Sequence, residues 1–468
     1  MAFSNFYVNS VKNKVGIIRH GCVHNPTGDV KTCDPAELAD AIKKLNAKAL
    51  IIIGVYDNDH LRLYREAALR AGVNPLLLRV IDYKWGEEAI AQNVALLEYN
   101  WVAERAQEID ITLPMSRREM IKGEIKVGKD RVDKPVYIPE NCGYLYRHCT
   151  VCQDSCPYGA IMIDNKSGIK IDYEKCVACG LCVASCPESA LQFPSVSQRS
   201  IFNLSIIKGN KIISCYKDAG NSIKLPCIAM LSVEDLLALR SSGEVHLRCV
   251  GCGLEKNLEK LRQDVRSVNS VVGGIRLEIK GEVVESAEPS SFAINLNLNN
   301  FEKRSDFRKG ISEIRLKNII SFDVNVDDTC TLCESCAKWC PVSALKIENI
   351  DGQMALTFDP EPCIGCNICI NVCPEPSKDG RGKAIKVRRG KSERKVLARD
   401  YIVRCRVCGA PVGSRRSLNH IKEVLKKQGI DVDDEWLELC SKHRFEYAVK
   451  KFLGPNSQFK PRGGIKND

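Results

Sequence analysis

The segments CTLCESCAKWCP (330–341) and CIGCNICINVCP (363–374) each read C-x2-C-x2-C-x3-C-P. A 4Fe–4S cube has four irons, and each needs one thiolate. In this spacing three cysteines wrap one cube, and the fourth reaches a different cube. Two such runs therefore predict crossed ligation. Cys330, Cys333, Cys336 and Cys373 would hold one cube, and Cys363, Cys366, Cys369 and Cys340 the other. Each proline fixes φ and removes a backbone donor where the chain turns off the cube. Zinc also uses C-x2-C pairs, but it needs neither the third close cysteine nor the Cys-Pro.

An earlier copy is less regular. CVACGLCVASCP (176–187) is a complete run, whereas CGYLYRHCTVCQDSCP (142–157) has Tyr146 where the first cysteine is expected. Cys176, Cys179, Cys182 and Cys156 form one set. The other is either Cys142, Cys149, Cys152 and Cys186, with a bulged loop, or only three cysteines, suited to a 3Fe–4S cluster or an outside ligand. GAIMID, SALQF, SALKIEN and KAIKVR follow the Cys-Pro pairs as short turns leading to strands. Both modules resemble bacterial-type ferredoxins with two 4Fe–4S clusters, over roughly 136–195 and 325–390.

Four further cysteines follow short β-rich runs: Cys215 in KIISC, Cys227 in SIKLPC, and Cys249 and Cys252 in EVHLRCVGC. A helix over 232–243, N-capped by Ser232 and closed by Gly243, joins the last two runs. Strand–helix–strand alternation predicts a parallel sheet, and open α/β sheets gather ligands at the carboxyl ends of their strands. Spacing alone leaves zinc and iron–sulfur both open here. The layout over 210–265 resembles the iron–sulfur delta subunit of methanogen hydrogenases, which implies a further iron–sulfur cluster.

The N-terminal stretch repeats the alternation: strands in KVGIIRHGC and ALIIIGV, helices in DPAELADAIKKLN and HLRLYREAALRAG, a returning strand VNPLLLRVIDY, and a long amphipathic helix from Gly86. Residues 14–112 resemble the N-terminal domain of the flavin-bearing, A-type component of heterodisulfide reductase, in which a ferredoxin also follows. The flavin domain of that component has no counterpart here, because no G-x-G-x-x-G occurs. Cys22 and Cys33 read as ordinary thiols of a scaffold. At the other end, Cys405 and Cys408, then Cys440 and His443, are two ligand pairs separated by a helical insert. This is the knuckle pattern of a structural zinc site. His420, on the insert, is a lesser candidate.

The remaining composition bounds the class. Twenty-five cysteines in 468 residues could mean disulfides, but MAFSNFYVNSVKNKVGIIRH has no apolar leader and the longest aliphatic runs are too short to span a membrane. The cysteines read as metal ligands in a cytoplasmic protein. The net charge of +11 counts thiols as neutral, and each ligated cube brings about −2. The basic run 381–400 reads as a solvated surface or a docking patch for an acidic partner, with nucleic acid the weaker reading.

The expected fold is multidomain, α/β and α+β. It comprises an α/β domain (1–135), a ferredoxin-like dicluster module (136–200), a small α/β four-cysteine domain (201–270), an irregular linker (271–324), a second dicluster module (325–390) and a zinc-ribbon-like domain (391–468). With neither a flavin or NAD loop nor a recognisable catalytic set, the chain reads as an electron-transfer (polyferredoxin) subunit. The expected partners are a flavoprotein and heterodisulfide reductase-like or hydrogenase subunits. A catalytic reductase with an open-coordinate cluster is the alternative, with a nucleic-acid-associated iron–sulfur protein the weaker one.

Overall fold

The computed structural model describes residues 6–9, 15–19, 35–54, 58–82, 86–97, 133–142, 149–164, 168–218, 220–290, 304–311, 316, 319–430 and 434–453. Cys22, Cys33, Tyr146 and the continuation of the long helix past Leu97 lie outside them. The chain forms two compact units, 1–320 and 321–468. Among the described residues, no helix is long and apolar enough to cross a membrane.

The first unit opens with a sheet of β1 (Phe6–Asn9), β2 (Val15–Arg19), β3 (Ala49–Gly54) and β4 (Leu78–Asp82) in that order. The β1–β2 pair is antiparallel and the others parallel. Between the strands run α1 (Pro35–Leu45) and α2 (Asn58–Arg70), and α3 (Gly86–Leu97) follows. β3 is buried along its whole length. Its side chains alternate between faces: Leu50 and Ile52 pack with Leu38, Ile42 and Tyr64, whereas Ala49, Ile51 and Ile53 pack with Leu77, Ile81 and Leu97. Burying each Leu or Ile contributes about 1.5–3 kcal/mol, which is why the strand reads as a continuous apolar run.

The first dicluster module supplies the pair β5 (Val136–Tyr137) and β8 (Leu191–Gln192), the hairpin β6 (Ile161–Asp164) and β7 (Gly168–Ile171), and the short helices α4 (Val151–Asp154) and α5 (Leu181–Ser185). α6 (Gln198–Ile206), N-capped by Ser197, then leads into a five-stranded sheet. Its order is β10 (Ile223–Leu225), β9 (Lys211–Cys215), β11 (Val245–Cys249), β12 (Ile275–Ile279), β13 (Glu282–Glu285), parallel except for the last pair. α7 (Val233–Arg240) has the expected Ser232 N-cap, completed by Asp235 as a capping box, but it ends before Gly243. α8 (Glu259–Asn269) precedes β12. The stretch 271–324 is therefore no irregular linker: β12 and β13 complete the sheet, and α9 (Arg304–Gly310) lies beyond them. Ile275 and Leu277 are fully buried there, and short strands with few flanking signals hid this in the sequence.

Arg79 of β4 reaches from the N-terminal sheet into the rest of this unit. It donates to the carbonyls of Lys224 (2.7 Å) and Ser195 (2.9 Å). Beside it lies Asp133, whose carboxyl is hydrogen-bonded to the Ser195 hydroxyl through Oδ2, while Oδ1 has no partner. Burial pushes its pKa from 3.8 to about 7, against the pull of Ser195 and Arg79. A carboxyl raised in the folded state leaves stability intact below its unfolded pKa and loses it as pH rises through the folded value. Asp133→Asn should thus raise Tm progressively between about pH 4 and 7 and by a constant amount above that, worth on the order of 2–4 kcal/mol. Parallel pH–Tm curves for the two proteins would count against a buried neutral carboxyl.

In the second unit, β14 (Phe322–Val326) pairs with β17 (Ile385–Arg389), and the hairpin β15 (Leu345–Ile350) and β16 (Gln353–Phe358) continues into β18 (Lys395–Arg404) and β19 (Pro411–Ser414). The expected boundary at 391 thus falls inside one structure: β18 hydrogen-bonds along the ferredoxin hairpin. The basic run 381–400 forms β17 and much of β18, and several of its charges are already matched. Lys395 lies 2.7 Å from Asp323, Arg394 3.1 Å from Glu348, and Arg389 covers the Phe322 ring. The helices α10 (Ser335–Lys338), α11 (Ile368–Asn371), α12 (Arg415–Lys427), α13 (Asp434–Leu437) and α14 (Ser441–Leu453) complete the unit.

Candidate iron–sulfur and metal centres

Each regular run wraps its second cysteine in the same way. Ala178 and Gly180 flank Cys179, Leu332 and Glu334 flank Cys333, and Gly365 and Asn367 flank Cys366, all with φ between 56° and 78°. Left-handed residues alternating with ordinary ones are the backbone pattern that forms N–H nests, which favour anionic guests. For non-glycine residues this costs roughly 1–2 kcal/mol each, so the fold must hold it. Two of the positions need glycine on space alone. A Cβ on Gly365 would overlap the Phe322 ring, and one on Gly180 would lie 2.6 Å from Met230 Cβ.

One cavity of the second unit is lined by Cys330, Cys333 and Cys336 from one run and Cys373 from the other, with Val326, Ile347, Leu356 and Ile385 as apolar walls. Burial first, then the thiols of Cys330, Cys333 and Cys373, push Cys336 up to about 12. Cys369 is raised likewise, by burial and then by Cys366, Cys363, Cys336 and Cys340. The first module repeats the arrangement: a second cavity is lined by Cys176, Cys179, Cys182 and Cys156. Cys152 is raised by burial and then by Cys186, Cys149 and Cys142. Cys142 thus lies near Cys152 despite its displaced position in the sequence. The Cys186 and Cys340 sulfurs accept from Ala190 N (3.1 Å) and Ala344 N (3.2 Å). Crowded thiols in apolar walls are strongly disfavoured as thiolates until a cation offsets their charge, so these cradles fit iron–sulfur cubes.

In the five-stranded sheet, Cys215 and Cys249 end the neighbouring parallel strands β9 and β11, where Arg248 stands opposite Ser214. Cys227 follows β10 and caps the 3-10 turn Ile228–Met230. Burial raises Cys227 to about 12, and its thiol neighbours are Cys252, Cys179 and Cys215. The four therefore meet on one rim, next to the first module.

The C-terminal set is built differently. Cys405 and Cys408 sit at the tip of the β18–β19 hairpin, turned by Gly409 (φ +70°). Cys440 precedes α14, and His443 lies in its first turn. His443 Nδ1 is 3.4 Å from Cys405 Sγ and 3.3 Å from Cys440 Sγ, and Cys408 Sγ is 3.8 Å from Cys440 Sγ. Among the described residues these four form the one group of at least three Cys, His, Asp or Glu whose ligand atoms all lie within 4.8 Å. A tetrahedron with Zn–S of ~2.3 Å has edges of roughly 3.8 Å, so the set fits a single ion. The ferredoxin and middle sets are spread wider, as thiolates on separate irons must be. His420 is not part of the group; its Nε2 lies 3.5 Å from Glu375, which accepts from Thr331 beside the Cys330 cavity.

Residues 146–190 and 329–376 match the family described as 4Fe-4S dicluster domain. The PorD subunit of pyruvate synthase from Methanocaldococcus jannaschii is 36% identical over 66 residues, 14% of this chain and 72% of that protein. The chain belongs to the 4Fe–4S dicluster family. The two matched dicluster domains imply 4Fe–4S clusters, in the regions where the cysteine-lined cavities lie. The B component of the ion-translocating oxidoreductase complex of Methanosarcina acetivorans is 48% identical over 44 residues, 9% of this chain and 16% of that one. The polyferredoxin-like subunit of aliphatic sulfonate oxidoreductase from Pyrococcus furiosus is 32% identical over 72 residues, 15% and 41% of the two. The chain thus spans a small part of the first of these relatives and under half of the second.

Proposed function

We propose that this dicluster protein is an iron–sulfur electron-transfer subunit of an oxidoreductase complex, a polyferredoxin that relays single electrons between partner subunits. The observation that carries the reading is the meeting of thiols from two separate runs in each cysteine-lined cavity. When bound, 4Fe–4S clusters supply one-electron redox chemistry. The chain's own residues hold them with Cys176, Cys179, Cys182 and Cys156; Cys142, Cys149, Cys152 and Cys186; Cys330, Cys333, Cys336 and Cys373; and Cys363, Cys366, Cys369 and Cys340. The flanking left-handed turns orient the cradles, and apolar side chains line them. Cys215, Cys227, Cys249 and Cys252 hold a further iron–sulfur cluster, a reading supported by their wide spacing and the hydrogenase delta resemblance. Cys405, Cys408, Cys440 and His443 hold zinc. The relatives' names, each belonging to part of a larger redox enzyme or complex, favour a subunit role. The heterodisulfide reductase A-like N-terminal region points to a flavoprotein, heterodisulfide reductase-like or hydrogenase partner, since flavin converts two-electron to one-electron chemistry.

Protein purified anaerobically should contain roughly sixteen to twenty irons and about one zinc per chain. It should pass electrons from a strong reductant to a one-electron dye, and should not oxidise NADH alone. Iron near eight, or NADH oxidation without a bound flavoprotein, would defeat the proposal.

A further inference from the structure

Arg304 opens α9 and is only 1% exposed. Its Nη1 donates to the carbonyls of Val183 and Cys186, the latter at 3.0 Å, and its Nη2 to Asp235 Oδ2 at 2.9 Å. Asp235, also 1% exposed, accepts from Ser232 N, Ser232 Oγ and Gln198 Nε2 as well. A guanidinium is thus buried at the C-terminal end of α5. That helix carries Cys182, of one cysteine set, and runs into Cys186, of the other. The charge rests on the Cys186 backbone.

Stability is a weak reason for such a pair, because apolar residues of similar volume often serve as well or better. Docking is a weak reason too. Arg308, on the next turn of α9, already joins α9 to α7 through Glu234 at 2.7 Å. Nor does the Ala190 N–H bond to Cys186 set this site apart, since Cys340 has the same bond from Ala344. Among the described residues, the second unit buries no basic side chain. What Arg304 adds is the positive member of a buried ion pair in a low-dielectric wall: its Nη1 rests on the Cys186 carbonyl, while its Nη2 meets the counter-charge on Asp235. A cube gains one negative charge on reduction, and local charge is among the protein's main levers on its potential.

We propose that Arg304 raises the reduction potential of the cube on Cys142, Cys149, Cys152 and Cys186, making it the first of its module to accept an electron. The inference rests on the assignment of a 4Fe–4S cube to those cysteines.

The test is an EPR-monitored redox titration of the full chain, with that cube's signal identified by its loss in Cys149→Ser. Arg304→Met should cut its reduced-to-oxidised ratio at fixed potential about tenfold, which is ~59 mV for one electron. Arg304→Lys should retain most of the native value. Arg308→Met, which removes the neighbouring pair, should stay within about twofold. Equal shifts in Arg304→Met and Arg308→Met, or none in either, would overturn the inference. If Arg304→Met loses the cube, Asp235→Asn decides: with the anion gone and Arg304 kept, the ratio should rise, and no change or a fall overturns it. A native protein whose signals are all unaffected by Cys149→Ser would instead defeat the cube assignment itself.

Discussion

Cys340→Ser and Cys363→Ser should abolish the same cube, although the two residues lie in different runs. Each variant should lose about four irons and one set of EPR signals, leaving the cube on Cys330, Cys333, Cys336 and Cys373 reducible. The reason is geometric. Cys330, Cys333 and Cys336 share one cavity with Cys373, and the sulfur environment of Cys369 consists of Cys366, Cys363 and Cys340 together with Cys336 of the neighbouring set. All eight cysteines of the module are already assigned to the two sets, so a variant has no spare thiol there to recruit. The effect should therefore be close to complete loss rather than a shift. Spectra in which Cys340→Ser spared the Cys363 cube and destroyed the Cys330 cube would show that ligation is sequential, and the dicluster assignment of 325–390 would be wrong.

Removing the zinc proposed for Cys405, Cys408, Cys440 and His443 should produce the second large effect. The proposed ligands join Cys440 and α14 to the β18–β19 hairpin, with Cys440 and His443 on one side and Cys405 and Cys408 on the other. Ion pairs that join 434–440 to the hairpin and to α12 lie at the surface, Arg406–Glu438 and Arg415–Glu438 at 2.7 Å each and Lys422–Asp434 at 2.6 Å, and exposed pairs contribute only ~0–1 kcal/mol. Buried apolar side chains there are few: Leu418, Leu437 and Leu439 with Val403. A structural zinc ion contributes on the order of 10 kcal/mol, so chelation should release residues 434–453 to rapid amide exchange while β15 and β16 stay protected. α12 also covers the Cys330 cavity, through Ser414 Oγ donating to the Thr331 carbonyl (2.6 Å) and His420 beside Glu375. Loss of zinc should accordingly speed oxidative bleaching of the cube there. Unchanged exchange at 434–453 after complete zinc removal would mean that the domain folds on its own core.

Much of the site could be read directly. A C-x2-C-x2-C-x3-C-P run is a local object, with ligands, turns and Cys-Pro in twelve residues, so periodicity and spacing reveal it without knowledge of the rest of the chain. The strand ends at Cys215 and Cys249 were legible for the same reason, since each follows an apolar run directly. Arg304 was not. It lies 118 residues from Cys186, on a seven-residue helix whose sequence, RSDFRKG, looks solvent-facing until α7 packs on it. The β12 and β13 strands were missed because four- and five-residue strands have no periodicity of their own and are stabilised by their neighbours.

By itself, then, the sequence determined the two dicluster modules and their candidate donor atoms, and it predicts the crossed pairing, because a cube's four valences and the reach of a short loop leave few arrangements. Tertiary structure decided which distant groups stand around them. It brought Cys142 to Cys152, spread the middle four thiols along a sheet rim, drew the C-terminal four into a tetrahedron-sized cluster, and buried Arg304 against Cys186. These outcomes depend on long-range register and on which apolar faces meet, and those are set by the whole folded core rather than by any one segment.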